Sequence, residues 1–189
     1  IGSYNTFIGT AAGSDCQTAS YNIIIGNSAG SKSNGSNNIY LGIMSGTNNT
    51  DGVENIMIGY TAGNNNLVGT GNVIIGDKAG YQSLGSRNVF IGKSAGFFEQ
   101  GSEKLYIDNS STSNPLIYGD FTDNSEKLVI NGKVGIGINS PDEQLVVFNG
   151  STTGKYTTSG WTHSSDLRLK ENILKVTNVL PDIIKLQGV

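Results

Sequence analysis

Cysteine, proline and charge are all scarce in this chain of 189 residues. A single cysteine, Cys16, rules out an intrachain disulfide and a thiolate metal site. Charged residues make up only 14% of the chain, against the usual quarter. That separates it from disordered chains, which are rich in charge and poor in β-branched residues. The net charge is −3, with no basic cluster, which argues against a nucleic-acid partner. No apolar run approaches membrane-spanning length, so membrane insertion is not expected. Polysaccharide-cleaving enzymes usually need paired carboxylates. Here the acids Asp15, Asp51, Glu54, Asp77 and Glu99 are scattered, and none recurs at a fixed interval. No cofactor and no metal are expected.

Glycine is abundant instead, with 27 residues against 3 prolines, beside many Asn, Ser and Thr. This suits closely stacked β-structure with many turns. The order is periodic. The unit Asn22-Ile23-Ile24-Ile25-Gly26-Asn27-Ser28-Ala29-Gly30 recurs at 5–13, 38–46, 55–63, 72–80 and 88–96, its leading Asn spaced 17, 16, 17, 17 and 16 residues apart. A fixed period of this length marks a stacked repeat architecture. Ile1 falls inside a repeat and is not Met, so the chain is expected to be a piece of a longer protein.

Each unit reads Asn, an apolar triplet, Gly, two variable residues, a small residue and Gly. The triplets are short strands bounded by Gly and Asn. Another Gly (Gly2, Gly35, Gly52, Gly69, Gly85) precedes most leading Asn residues by three, with Ala19 in that place once. If each repeat makes one turn of a coil, identical positions stack about 4.8 Å apart. Gly then forms columns at tight turns or positive φ, and Asn forms a ladder of amides. A degraded seventh copy begins at Lys104, with Leu105-Tyr106-Ile107 and Asp108 in place of Gly. End repeats usually lose the consensus, so this copy is expected to be a cap or junction.

Side chains alternate across a strand, so each triplet points to both faces. With the first and third positions inside a thin coil, the middle column faces outward: Phe7, Ile24, Tyr40, Met57, Ile74 and Phe90. Such an apolar stripe exceeds what a soluble monomer normally exposes, and the expected cover is other copies of the chain, in a homotrimer. The alternatives are that the stripe packs on another part of the same chain, or that inside and outside are reversed. The variable loops are either solvated turns or contacts for a receptor or glycan.

The period stops after residue 108. In 109–160, strand signals cover Pro115–Phe121, Lys127–Asn131, Lys133–Ile138 and Gln144–Phe148, with Asn131-Gly132 as a hairpin signal between two of them. Gly135 and Gly137 resemble part of a phosphate loop, but G-x-G-x-x-G is not completed and no helix pattern follows at Pro141. Ser151 to Gly160 reads as a linker or an extended strand. In 161–189, Ser165 or Asp166 can cap a helix whose apolar positions include Leu167, Leu169, Ile173 and Leu174, interrupted at Pro181. The fold class expected is therefore mainly β: a β-solenoid over 1–108, a bridging β region over 109–160 and a short helical segment over 161–189.

Three resemblances follow. Leu105-Tyr106-Ile107-Asp108, Pro115-Leu116-Ile117-Tyr118-Gly119 and Val134-Gly135-Ile136-Gly137 resemble segments common in bacteriophage tail-fibre and related surface proteins. The Asn-x-x-Ile-Gly-x-x-Ala repeats resemble trimeric autotransporter adhesin heads, which are left-handed β-rolls packed as trimers. Ser165-Asp166-Leu167-Arg168-Leu169-Lys170 resembles the opening of the intramolecular chaperone domain of phage tailspikes and endosialidases. These resemblances imply an extracellular virion tail fibre that projects toward the host surface, with tail or baseplate partners. The alternative is a bacterial trimeric adhesin. The third implies self-cleavage at Ser164–Ser165, with Ser165 as nucleophile and Lys170 as base. A buried Lys can take a Ser proton. The plainer alternative makes Ser165 an N-cap and Lys170 a solvated helix residue.

Overall fold

The computed structural model describes residues 2–151, 153–157 and 160–163. The helical segment expected after residue 164, with Ser164, Ser165 and Lys170, lies outside the described residues. The chain divides into two compact units, Ile1–Gly132 and Lys133–Val189.

The first unit is a β-solenoid. Its strands are the expected triplets: β1 Thr6–Ile8, β2 Ile23–Ile25, β3 Ile39–Leu41, β4 Ile56–Ile58, β5 Val73–Ile75 and β6 Val89–Ile91, followed by β7 Lys104–Ile107 in the degraded copy. They pair parallel and in strict register, with Phe7, Ile24, Tyr40, Met57, Ile74, Phe90 and Tyr106 in one row. No helix occurs among the described residues.

Four corner residues per turn bring the chain round. The Gly after each strand has φ between 114° and 140°, and the Gly closing each unit has φ between 49° and 63°. Two further corners are left-handed without requiring glycine. One is the column Ala11, Ser28, Met44, Thr61, Lys78 and Ser94; the other runs through Tyr4, Tyr21, Asn37, Glu54, Arg87 and Glu103. The Gly column ahead of the Asn ladder exists for a different reason. A Cβ on Gly35 would lie 1.9 Å from the Gly52 carbonyl oxygen of the next turn.

The interior corrects the expected facing of the triplet. Ile24, Tyr40, Met57, Ile74 and Phe90 are fully buried inside the coil, and only Phe7, in the first turn, is exposed. The leading Asn sets the parity. Asn22, Asn38, Asn55, Asn72 and Asn88 point inward, and alternation then turns the middle of each triplet inward and its two ends outward. One large residue per turn is enough. The rest of the interior is filled by the small column Ala12, Ala29, Ser45, Ala62, Ala79 and Ala95 and by the buried Ser33, Asn49, Asn66 and Ser83. Burial also pushes the Tyr40 phenol well above its ordinary pKa, so it stays neutral. Ile74→Val should cost about 1 kcal/mol, the usual price of one buried methylene. Urea unfolding followed by circular dichroism would measure it; no change would place Ile74 in a loosely packed site.

The Asn ladder runs through the whole coil. Each Asn Oδ1 accepts the backbone N–H of the Asn one turn on, at 2.8 to 3.0 Å, from Asn5 to Asn72. Each Nδ2 donates to the carbonyl three residues before the next ladder position, Ala19 for Asn5 and a Gly for the others, as Asn55 does to Gly69 at 2.8 Å. Lys104 ends the series. Its N–H still donates to Asn88 Oδ1, but its side chain leaves the ladder and reaches Asp120.

The coil closes with antiparallel strands β8 Ile117–Asp120 and β9 Lys127–Ile130, which extend the same sheet beyond β7. Lys104 Nζ lies 2.8 Å from Asp120 Oδ1 across β7 and β8. The Lys104 ammonium, and then the Thr122 hydroxyl and N–H, hold the Asp120 carboxyl below the usual range. Asp120 in turn raises Lys104. A depressed carboxyl stabilises above its unfolded pKa, and that contribution fades as pH falls from about 3.9 toward the lower folded value. A raised Lys loses its contribution only on the alkaline side. The urea midpoint should therefore drop below about pH 4, and Asp120→Asn should remove part of that drop. An unchanged pH profile in the variant would show the pair to be inert.

Asn131-Gly132 does not form the expected hairpin. A tight type I′ turn needs positive φ at both central residues, and neither Asn131 nor Gly132 has it. Asn131 instead binds back along the first unit, with Nδ2 donating to Pro115 O at 2.7 Å and N–H to Leu116 O at 2.9 Å. The second unit holds a separate four-stranded sheet. In it β10 Val134–Ile136 pairs parallel with β11 Leu145–Phe148, which pairs antiparallel with β12 Thr153–Thr157, and β12 with β13 Gly160–His163. The stretch read as bridging, 109–160, is thus shared between the two sheets.

Candidate functional site: the outer strand face of the coil

The same parity that buries the middle column exposes the two beside it. The first positions of the triplets are Thr6, Ile23, Ile39, Ile56, Val73 and Val89, joined by Leu105 of β7. The third positions are Ile8, Ile25, Leu41, Ile58, Ile75 and Ile91, joined by Ile107. Thr6 is the one polar residue in either column, and neither column carries a charge. Every side chain in them is half-buried or exposed; Ile8 is 56% exposed, Ile23 45% and Leu41 43%.

Seven strands at about 4.8 Å and two columns of aliphatic side chains make a face of roughly 30 by 10 Å. It is uncharged, and its side chains repeat at the pitch of the coil. The largest apolar patch on a typical monomer is about 300–600 Å² and often functional. The residues expected at this surface, Ile24, Tyr40, Met57, Ile74 and Phe90, are one position away and inside. The signal for the right columns was the leading Asn. An amide that must satisfy backbone groups of the next turn belongs inside, and two residues on comes the same face.

The face can bury apolar surface against a matching partner, and it carries no catalytic chemistry. Among the described residues no group of His, Cys, Asp or Glu could hold a metal ion. No helix among them is long and apolar enough to cross a membrane. No protein-family model, no curated protein and no solved structure matches the chain.

Proposed function

We propose that this chain is a structural fibre protein: a β-solenoid shaft of the phage tail-fibre type that associates as a homotrimer and projects toward a host surface. The observation that carries the reading is the uncharged, two-column strand face of the coil. Three copies set about a common axis would each bury it, and their identical pitch lets the side-chain ridges of one coil sit between those of the next. The repeat resemblance to trimeric adhesin heads and the Ser165–Lys170 motif support the same reading. The motif segment would nucleate the trimer and then be released by cleavage at Ser164–Ser165.

Sedimentation tests the assembly. The expected species has three times the 19.8 kDa chain mass. Ile58→Glu, which places a carboxylate on the outward face, should give a monomer with an unchanged β spectrum. A wild-type monomer at micromolar concentration would end the proposal. Cleavage is tested by expressing wild type beside Ser165→Ala; equal full-length bands on a denaturing gel would remove the self-cleavage step.

A further inference from the structure

The last turn of the coil departs from the pattern in a way that neither core packing nor the strand face requires. The two loop residues after the closing Gly are Ser14-Asp15, Ser31-Lys32, Thr47-Asn48, Asn64-Asn65 and Tyr81-Gln82 in the first five turns, but Phe97-Phe98 in the sixth. The next position, occupied by Cys16, Ser33, Asn49, Asn66 and Ser83, becomes Glu99. Phe98 is 61% exposed, so it contributes little to the core. It is nevertheless held in place. Its ring centroid lies 4.5 Å from that of Phe97, and Phe97 stacks on Tyr81 at 5.1 Å.

Beside this platform lies an open cavity of about 350 Å³, lined also by Glu99, Gln100, Tyr106 and the hydroxyl run Ser111 to Ser113. Glu99 is fixed by two donors, the Gly101 N–H at 2.6 Å and the Tyr106 hydroxyl at 2.7 Å. Tyr106 is itself buried. Both oxygens of the carboxylate are therefore already engaged, and what they still offer suits neutral donors better than a metal ion. Gln100 Nε2 donates to Gln82 O and Phe98 O, which orients its amide. A second cavity of about 370 Å³ shares Tyr106 and Ser113 and adds Asn114, Lys127 and Asn131.

We propose that this end of the coil is a binding site for a neutral saccharide. An exposed, pre-positioned aromatic face takes the C–H side of a pyranose ring. The carboxylate, the amide and the row of hydroxyls match its ring hydroxyls. Concave pockets of about 300–1,000 Å³ with a few convergent polar groups are the usual form of small-ligand sites. A phosphate fits the first cavity poorly, because it holds a carboxylate and no cation. The adjoining cavity extends the site toward a ligand longer than one ring. The site rests on the reading of a host-facing fibre, and it lies on the loop arc of the coil, apart from the strand face.

The test uses the full chain and a panel of neutral mono- to tetrasaccharides built from glucose, galactose, mannose and N-acetylglucosamine, read by saturation-transfer NMR. At least one should receive saturation, strongest on the C–H protons of one ring face. Phe98→Ala should weaken its binding roughly tenfold, since a well-placed aromatic contact contributes about that factor. The circular dichroism melt should not move, because Phe98 is exposed. Tyr4→Ala, an exposed aromatic in the first turn of the coil, should leave binding intact. No transfer to any panel member, or undiminished binding by Phe98→Ala, would overturn the site. Sedimentation of the same samples separates the two proposals. A trimer without saccharide binding overturns only the site, whereas a monomer that binds overturns only the fibre.

Discussion

Gly59→Ala is expected to abolish or nearly abolish folding of the solenoid unit, with a loss of about 5 kcal/mol. Gly59 follows β4 at φ 135°, a region open to Gly almost alone. Its added Cβ would lie 2.4 Å from the Gly76 carbonyl oxygen and 2.6 Å from the Gly76 carbonyl carbon. These are backbone atoms of the next turn, so no side chain can swing away. The two turns would have to part, and the sheet hydrogen bonds on either side fix their spacing at about 4.8 Å. Gly71 supplies the control. It is also left-handed, at φ 68°, but its nearest neighbour to an added Cβ is Arg87 Cγ at 3.6 Å. Its column holds Tyr21, Asn37, Glu54 and Arg87 at similar φ. Gly71→Asn should therefore change stability by less than about 1 kcal/mol, since Asn tolerates this conformation and lowers the entropy of the unfolded chain. Parallel urea titrations of the two variants would decide. A loss in Gly59→Ala as small as that in Gly71→Asn would mean that the next turn yields and that its approach does not keep glycine at position 59.

Asn55→Ala should lower stability by about 4 kcal/mol. Asn55 Oδ1 accepts the Asn72 N–H at 3.0 Å, and its Nδ2 donates to Gly69 O at 2.8 Å. Both partners belong to the coil interior, and Asn72 is fully buried. Truncation leaves two buried backbone groups without partners, each at a cost of about 1–3 kcal/mol. The neighbouring ladder members also lose contacts, because Asn72 Nδ2 donates to the same Oδ1 and Asn55 Nδ2 approaches Asn38 Oδ1 at 3.2 Å. Asn55→Asp keeps an acceptor for Asn72 but removes the donor to Gly69 and buries a charge, so it should be as damaging. A loss below about 1 kcal/mol in Asn55→Ala would show that other groups re-satisfy the ladder.

The strands of the coil were legible to the residue. Thr6–Ile8 through Val89–Ile91 match the triplets, because Gly at a turn and Asn at a strand entry are local requirements that any copy must meet. The facing was not legible from hydrophobicity, since all three triplet positions are apolar. Only the inward Asn distinguishes them, and its direction depends on a hydrogen bond to a residue about 17 positions away, as from Asn55 to Asn38. The ends of the coil were harder still. β8 Ile117–Asp120 pairs antiparallel with β7, and Asn131 binds Pro115 in place of turning a hairpin. Both outcomes depend on which sheet edge is free, and no local residue pattern encodes that.

From the residues alone come the period, the strand positions, the glycine columns, the existence of an amide ladder and its end at Lys104. Each is written once per turn, and repetition amplifies a weak local signal into a clear one. Three-dimensional stacking decides which column is core and which is surface, how β8 and β9 close the sheet, and that Phe97, Phe98 and Glu99 meet Tyr106 at one cavity. These depend on contacts between turns, where alternation along the strand and the hydrogen-bonding needs of buried backbone prevail over the apolar character that the triplet positions share.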